Sequence, residues 1–303
     1  MTSDPSVAAV IPTYERRGLL RRAVESALDQ TRPPAEVLVV DDASSFPVAS
    51  YLDEHVADPR VVVERLETNR GAAAARNAGA ERTDCEYVAF LDSDDYWHEA
   101  KLERQMAVVE ASPDVDVVYC DQYVVDVHGE VRPSDKALPE GDLWERLVDG
   151  WTAPNTSTLL VDRAWFLDLG GFDTSLPSCQ DHDLWMRAAR SDAAVRAVDE
   201  PLSYFTREAD DRISSEYSDR IDGVDRFLEK WREPIVETAG ERRYERFARD
   251  YYAKAALPLA FGALMDGDVS TLARLLREHL AFNPAAYRRG VEMLPGLVRR
   301  LTG

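Results

Sequence analysis

Between residues 7 and 92 the chain alternates short, near-continuous apolar runs with segments of helical spacing, and few folds accept that pattern. VAAVIPT (7–13), EVLVVDD (36–42), VVVERL (61–66) and YVAFLD (87–92) read as strands. GLLRRAVESALDQ (18–30), GAAAARNAGAER (71–82) and a stretch over 98–112 read as helices, the last leading into DVVYCDQYVVD. Strands apolar on both faces and separated by helices belong to βαβ units in a mostly parallel sheet. The fold class is therefore α/β. Three of these strands end on polar residues: Thr13 and Tyr14, then Asp41 and Asp42, then Asp92, Asp94 and Asp95. Ligand crevices of open α/β sheets lie at the carboxyl ends of the strands, so the three clusters are expected to converge on one site.

The densest cluster is YVAFLDSDDYW (87–97), in which a strand runs into three carboxylates. Like charges this close repel unless something offsets them. A hard divalent cation, Mg²⁺ or Mn²⁺, prefers carboxylate oxygens and keeps positions for phosphate. The competing reading makes Asp94 or Asp95 the cap of a helix starting near His98. Asp41 and Asp42, followed by Ala-Ser-Ser, also make good turn chemistry on their own.

Past residue 143 the pattern is mixed: LWERLVDG is helical, NTSTLLV a short strand, and SCQDHDLWMRAARS a helix with Asp181 and Asp183 in its first turn. Acids there complement the helix dipole whatever else they do. VRAVDEPLSYFTR reads as a late strand, and helices follow near 217–231, 241–264, 269–282 and 285–302.

A formal charge of −20 argues against nucleic-acid binding, which needs a basic surface. Only four of the 36 basic residues are lysines, and an acidic, arginine-rich surface suits a halophile. Cys85, Cys120 and Cys179 are too few and too scattered for a disulfide framework or zinc site. No apolar run reaches the roughly 18 residues that span a bilayer, and the start lacks signal-peptide features, so a cytoplasmic protein is expected. Residues 272–303 carry six arginines against two glutamates on amphipathic helices. Such helices either touch an anionic membrane surface peripherally or pack on the rest of the protein.

VIPTYERRGLLRRAVESALDQTRPPAEVLVVDDASS, NRGAAAARNAGA, YVAFLDSDDYW and GGFDTSLPSCQDHDLWMRAAR resemble, in order, the motifs of the family 2 glycosyltransferases over residues 7–207. The resemblance implies a GT-A fold, Rossmann-like, with a helical C-terminal region added. It also implies a UDP-, GDP- or dTDP-sugar donor, Mg²⁺ or Mn²⁺, and inversion at the anomeric carbon. The divisions are 1–210 for the GT-A domain, with a nucleotide-binding half to about 97 and an acceptor half over 98–210, and 211–303 for the helical region.

Carried onto this chain, Pro12, Tyr14 and Glu15 line the base pocket and Asp42 accepts from base or ribose, with Asp41 supporting the loop. Gly71 allows close backbone approach, and Arg76 and Asn77 reach the nucleotide, unless this helix merely packs on the sheet. Asp92 faces ribose or the metal shell, and Asp94 and Asp95 hold the metal. Asp181 matches the general base and Asp183 a supporting acid, although Gln180 stands where relatives often have Glu. His182 is a metal ligand or simply an exposed histidine, and APNTSTLL contacts the donor sugar or acceptor unless it is a capped loop. The acceptor is expected to be a lipid-linked saccharide or glycan, in protein N-glycosylation or surface polysaccharide assembly. Without membrane spans or a Gln-x-x-Arg-Trp motif, single transfer is favoured over processive synthesis. The alternatives are a non-catalytic sugar-nucleotide binder and a haloacid-dehalogenase-type phosphatase. The latter needs its DxD on the first strand, and a dinucleotide enzyme needs a G-x-G-x-x-G after it.

Overall fold

The computed structural model describes residues 5–134, 138–141, 143–207, 217–265 and 267–277. It divides into two compact units: residues 1–144, 153–174 and 180–209, and residues 145–152, 175–179 and 210–303.

The first unit is α/β. Its strands are β1 (Val7–Thr13), β2 (Glu36–Asp41), β3 (Val61–Arg65), β4 (Tyr87–Phe90), β5 (Tyr96–Trp97), β6 (Val117–Val125), β7 (Val131–Pro133), β8 (Leu160–Asp162) and β9 (Val195–Thr206). They form one sheet in the order β3-β2-β1-β4-β8-β6-β9-β5, with β7 on β6. The first four strands are parallel, as is the β6–β9 pair. Antiparallel pairing enters where β8 is inserted between β4 and β6, and where β5 and β7 join.

Helices α1 (Arg17–Leu28), α2 (Val48–His55) and α4 (Lys101–Ala111) bury Leu20, Ala23, Val24, Leu52, Leu102 and Met106 against one face. The opposite face carries α3 (Ala72–Arg82), whose alanines let it lie close to β1 and β2. Gly79 makes the closest approach, since a Cβ there would sit 2.4 Å from Val10 Cγ1. Phe90, Phe166 and Phe172 pack together on the same face as α3. The α5 helix (Trp144–Val148) belongs from Glu145 onward to the second unit, and α6 (Arg163–Asp168) and α7 (Gln180–Arg190) complete the first before β9.

The second unit is helical in its described part: α8 (Tyr217–Ala239), α9 (Glu241–Met265) and α10 (Val269–Leu275). Gly240, at φ +83°, makes the left-handed turn that ends α8. Phe227, Phe247 and Tyr251 stack between α8 and α9. Among the described residues no helix is long and apolar enough to cross a membrane. The expected helix over 285–302, and with it most of the basic amphipathic stretch, lies outside the described residues.

Candidate active site

The ends of β1 and β2 meet as one polar edge. Pro12 and Thr13 are buried in β1, while Tyr14 just beyond is 40% exposed, its ring open for stacking. Glu15 and Ala43 adopt left-handed backbone angles, φ +54° and +65°, which few non-glycine residues accept. Hydrogen bonds hold both turns. The Glu15 carboxylate accepts from Ser45 N (2.5 Å) and Ser45 Oγ (3.0 Å), and Glu15 N donates to Ser44 Oγ (3.1 Å). Asp41 is buried, accepting from Ser44 N at 2.8 Å and from the Arg65 guanidinium. Asp42 accepts from Arg70 N and Gly71 N, both at 2.7 Å, and so fixes the loop entering α3. Gly71 needs its freedom there, since its φ is +86°.

The DSDD turn follows β4. Asp92, Asp94 and Asp95 each offer a carboxylate oxygen, all within 4.8 Å of one another. Asp92 and Asp94 are half-buried, and Asp95 is fully buried at 1% exposure. Asp95 Oδ2 accepts from Ser157 Oγ (2.6 Å) and Asn155 Nδ2 (3.3 Å), and Oδ1 from Thr206 N (2.9 Å). None of these partners carries a positive charge. Burial first, then repulsion from Asp94 and Asp92, push the Asp95 carboxyl well above the usual carboxylate range. The helix-cap reading fails here: α4 begins at Lys101, beyond β5, and Asp95 bonds elsewhere. Arg76, 7% exposed, donates to Asp92 Oδ1 at 2.5 Å and lies 5.3 Å from the Phe172 ring centre. Its Nε, also buried, has no hydrogen-bond partner among the described residues.

Asn77 is engaged differently from its neighbour Arg76. Its amide donates to Phe172 O and accepts from Phe172 N, both at 2.8 Å, which pins the 171–172 turn to α3. The same turn is held from α7, because Arg187 donates to Leu169 O and Gly171 O and pairs with Asp183 at 2.8 Å. Asp183 is fully buried in that pair, which makes it an anchor of α7.

Asp181, half-buried, accepts from His182 N at 2.9 Å. The start of β9 is fixed beside the start of β6, since Asp116 N donates to Ala194 O and Ala194 N to Asp116 Oδ2. Trp185 stacks edge-on against Tyr119, with centroids 5.2 Å apart. Asp181 stands one turn before Trp185 in α7.

Sequence reasoning missed Ser157 as a support. Its hydroxyl bonds Asp95, accepts from Asp92 N at 3.1 Å, and its carbonyl takes Trp97 Nε1 at 2.8 Å. Arg22, also missed, donates to Asp94 O (2.6 Å) and Thr206 Oγ1 (3.0 Å).

Residues 8–167, more than half of the chain, match the family model described as Glycosyl transferase family 2. An "Uncharacterized glycosyltransferase" of Haemophilus influenzae is 27% identical over 262 residues, 86% of this chain and 85% of that one. "Putative teichuronic acid biosynthesis glycosyltransferase TuaG" of Bacillus subtilis is 44% identical over 103 residues, covering 34% of this chain and 41% of its own. Among solved structures, that of S. aureus TarS 1-349 in complex with UDP-GlcNAc is similar in fold. It has a TM-score of 0.58 and 17% identity, over 94% of this chain and 92% of that one.

Proposed function

The chain belongs to glycosyl transferase family 2 and has its GT-A fold, and we propose that it moves a single sugar from a nucleotide-diphosphate donor to an acceptor hydroxyl with inversion. That it is a glycosyltransferase sets aside the phosphatase and non-catalytic alternatives. Its DxD also follows β4, where the phosphatase needs it on the first strand. The observation that carries the finer reading is the trio of carboxylates closed to within 4.8 Å at the end of β4. Hard oxygen ligands, one of them buried without a counter-charge, fit Mg²⁺ or Mn²⁺. Asp94 and Asp95 would hold the ion, with Asp92 beside them. When bound, the ion supplies Lewis-acid neutralisation of the leaving diphosphate.

The chain's own residues do the rest. Tyr14 stacks on the base at the edge formed with Pro12 and Glu15. Asp42 keeps the Arg70–Gly71 backbone in place for close approach. Arg76, already buried with one nitrogen to spare, adds positive charge beside the diphosphate. Asp181 takes the proton from the acceptor hydroxyl as that oxygen attacks the anomeric carbon. Asn77 and Asp183 act through the 169–172 turn they hold.

Relatives include TuaG and a "Putative colanic acid biosynthesis glycosyl transferase WcaA" of Escherichia coli. These names support surface-polysaccharide assembly as the setting, with a saccharide as acceptor. The test is thermal stabilisation by UDP-, GDP- and dTDP-sugars with and without Mn²⁺, in wild type and Asp181→Ala. Both proteins should be stabilised by one nucleotide sugar with Mn²⁺, and only the wild type should transfer. No stabilisation by any donor under any metal condition would sink the reading.

A further inference from the structure

Tyr96, Tyr204 and Tyr123 stand opposite one another across β5, β9 and β6, so their side chains share one face of the sheet. Their rings stack, with centroids 4.4 and 4.9 Å apart and interplanar angles of 5° and 21°. The Arg22 guanidinium closes the stack over Tyr96 at 4.4 Å. The neighbouring row, Trp97, Ser203 and Gln122, is buried, and Trp97 joins the α1–α4 core on the other face. The tyrosines therefore lie on the face that carries Tyr119 and α7. Each is half-buried, and no hydroxyl of the three has a protein partner among the described residues.

Position gives the row its meaning. Tyr96 directly follows Asp95, so one end of the stack adjoins the carboxylate trio. At the other end, Tyr123 lies four residues along β6 from Tyr119, whose ring packs on Trp185 of α7, the helix with Asp181 in its first turn. The row thus runs from the metal-type carboxylates toward the strand against which that helix packs, the side of the site left for an acceptor. We propose that these three tyrosines form the floor of an acceptor subsite that takes an uncharged saccharide through their hydroxyl edges.

The chemistry selects that occupant. Stacking covers the ring faces and leaves the hydroxyls, which both donate and accept, as a saccharide hydroxyl does. A phenol is protonated at neutral pH, so each hydroxyl can donate as well as accept. The Arg22 guanidinium lies over the Tyr96 ring, with one terminal nitrogen turned to Asp94 O and Thr206 Oγ1. The carboxylates at the near end of the row disfavour an anion.

The inference rests on the glycosyl-transfer reading, and its test separates the two. The full-length protein is first loaded with Mn²⁺ and whichever of UDP, GDP or dTDP stabilises it. Neutral hexose and N-acetylhexosamine oligosaccharides are then titrated in, followed by tyrosine fluorescence and saturation-transfer NMR. The comparison protein combines Tyr96→Phe, Tyr123→Phe and Tyr204→Phe, which keeps the stacked rings. Saturable binding to the wild type, weakened about tenfold or more by loss of three hydroxyls, is expected, with nucleotide stabilisation unchanged. Equal binding to both proteins overturns the subsite, as does a wild type that takes up nucleotide but no saccharide. A wild type that binds no nucleotide with Mn²⁺ removes the reading beneath it, and the subsite falls with it.

Discussion

Asp95 and Asp183 are both completely buried, and the chain treats them in opposite ways. In the first turn of α7, Asp183 faces the guanidinium of Arg187, and the pair is tied onward to the carbonyls of Leu169 and Gly171. In the DSDD turn, Asp95 meets a hydroxyl, an amide and a backbone N–H, with two further carboxylates beside it. A buried charge answered inside the chain is a structural element. A buried carboxyl without an internal counter-ion either keeps its proton or takes a counter-ion from outside. Placement alone would not tell the two aspartates apart; their partners do.

Asp95→Asn gives the sharpest break of this contrast. It removes charge with little change of shape, and Asn155, whose Oδ1 has no partner, can flip its amide to accept from the new NH₂. Transfer is expected to fall by about a thousandfold, several kcal/mol of lost charge stabilisation, while the metal-free fold is as stable or more so. In the wild type under chelation, a folded-state pKa above the ordinary 3.8 means the folded chain holds the proton longer. Stability should then fall as pH climbs from that ordinary value toward neutrality, and Asp95→Asn should lose that slope. Urea unfolding across pH with EDTA measures it; a wild-type curve flat over that range would contradict the account. Asp183→Asn should do the reverse, destabilising the fold by about 3 kcal/mol because Arg187 is left partly buried without its counter-charge. Chemical denaturation decides this, and an unchanged midpoint would refute it.

Ser157→Ala probes the support between these extremes. Its hydroxyl links Asp92 N to the Asp95 carboxylate, so its loss should weaken Mn²⁺ binding about 10- to 100-fold, as for other residues that orient metal ligands. Ser157→Thr should recover most of it. Mn²⁺ titration followed by electron paramagnetic resonance reads the effect without any acceptor, and equal affinity in the alanine variant would remove Ser157 from the site.

This residue also marks where the sequence stopped being informative. Asp92, Asp94 and Asp95 could be read because a strand of four apolar residues ends on them, a local signal. Ser157 lies 62 residues away in a stretch of ordinary polar residues, and only the insertion of β8 beside β4 brings it over. The two-residue strand β5 was equally hidden, since Tyr96 and Trp97 have no periodicity to show. With it was hidden the tyrosine row, which exists only through pairing across three strands. Arg76 and Asn77, adjacent in sequence and read together, diverge because successive helical residues point about 100° apart. One meets Asp92 and the other Phe172.

Lys101 tests the comparison from the cationic side and with the smallest effect. It is fully buried in α4, donating to the neutral Gln105 at 2.8 Å and lying 4.2 Å from the Trp97 ring centre. Enclosed there, it can be relieved only by giving up its proton, and burial lowers its pKa to about 8. Between pH 8 and 9 the unfolded chain keeps this proton while the folded one releases it, so stability should rise by about 1 kcal/mol. Above pH 9 the buried Cys120 thiol, raised to about 11, opposes the rise, because the unfolded thiol ionises first. Lys101→Met should abolish the gain between pH 8 and 9 and leave the later fall. Urea midpoints at the two pH values measure the difference. The same gain in the methionine variant would mean that Lys101 is neutralised by a charge elsewhere, as Asp183 is by Arg187.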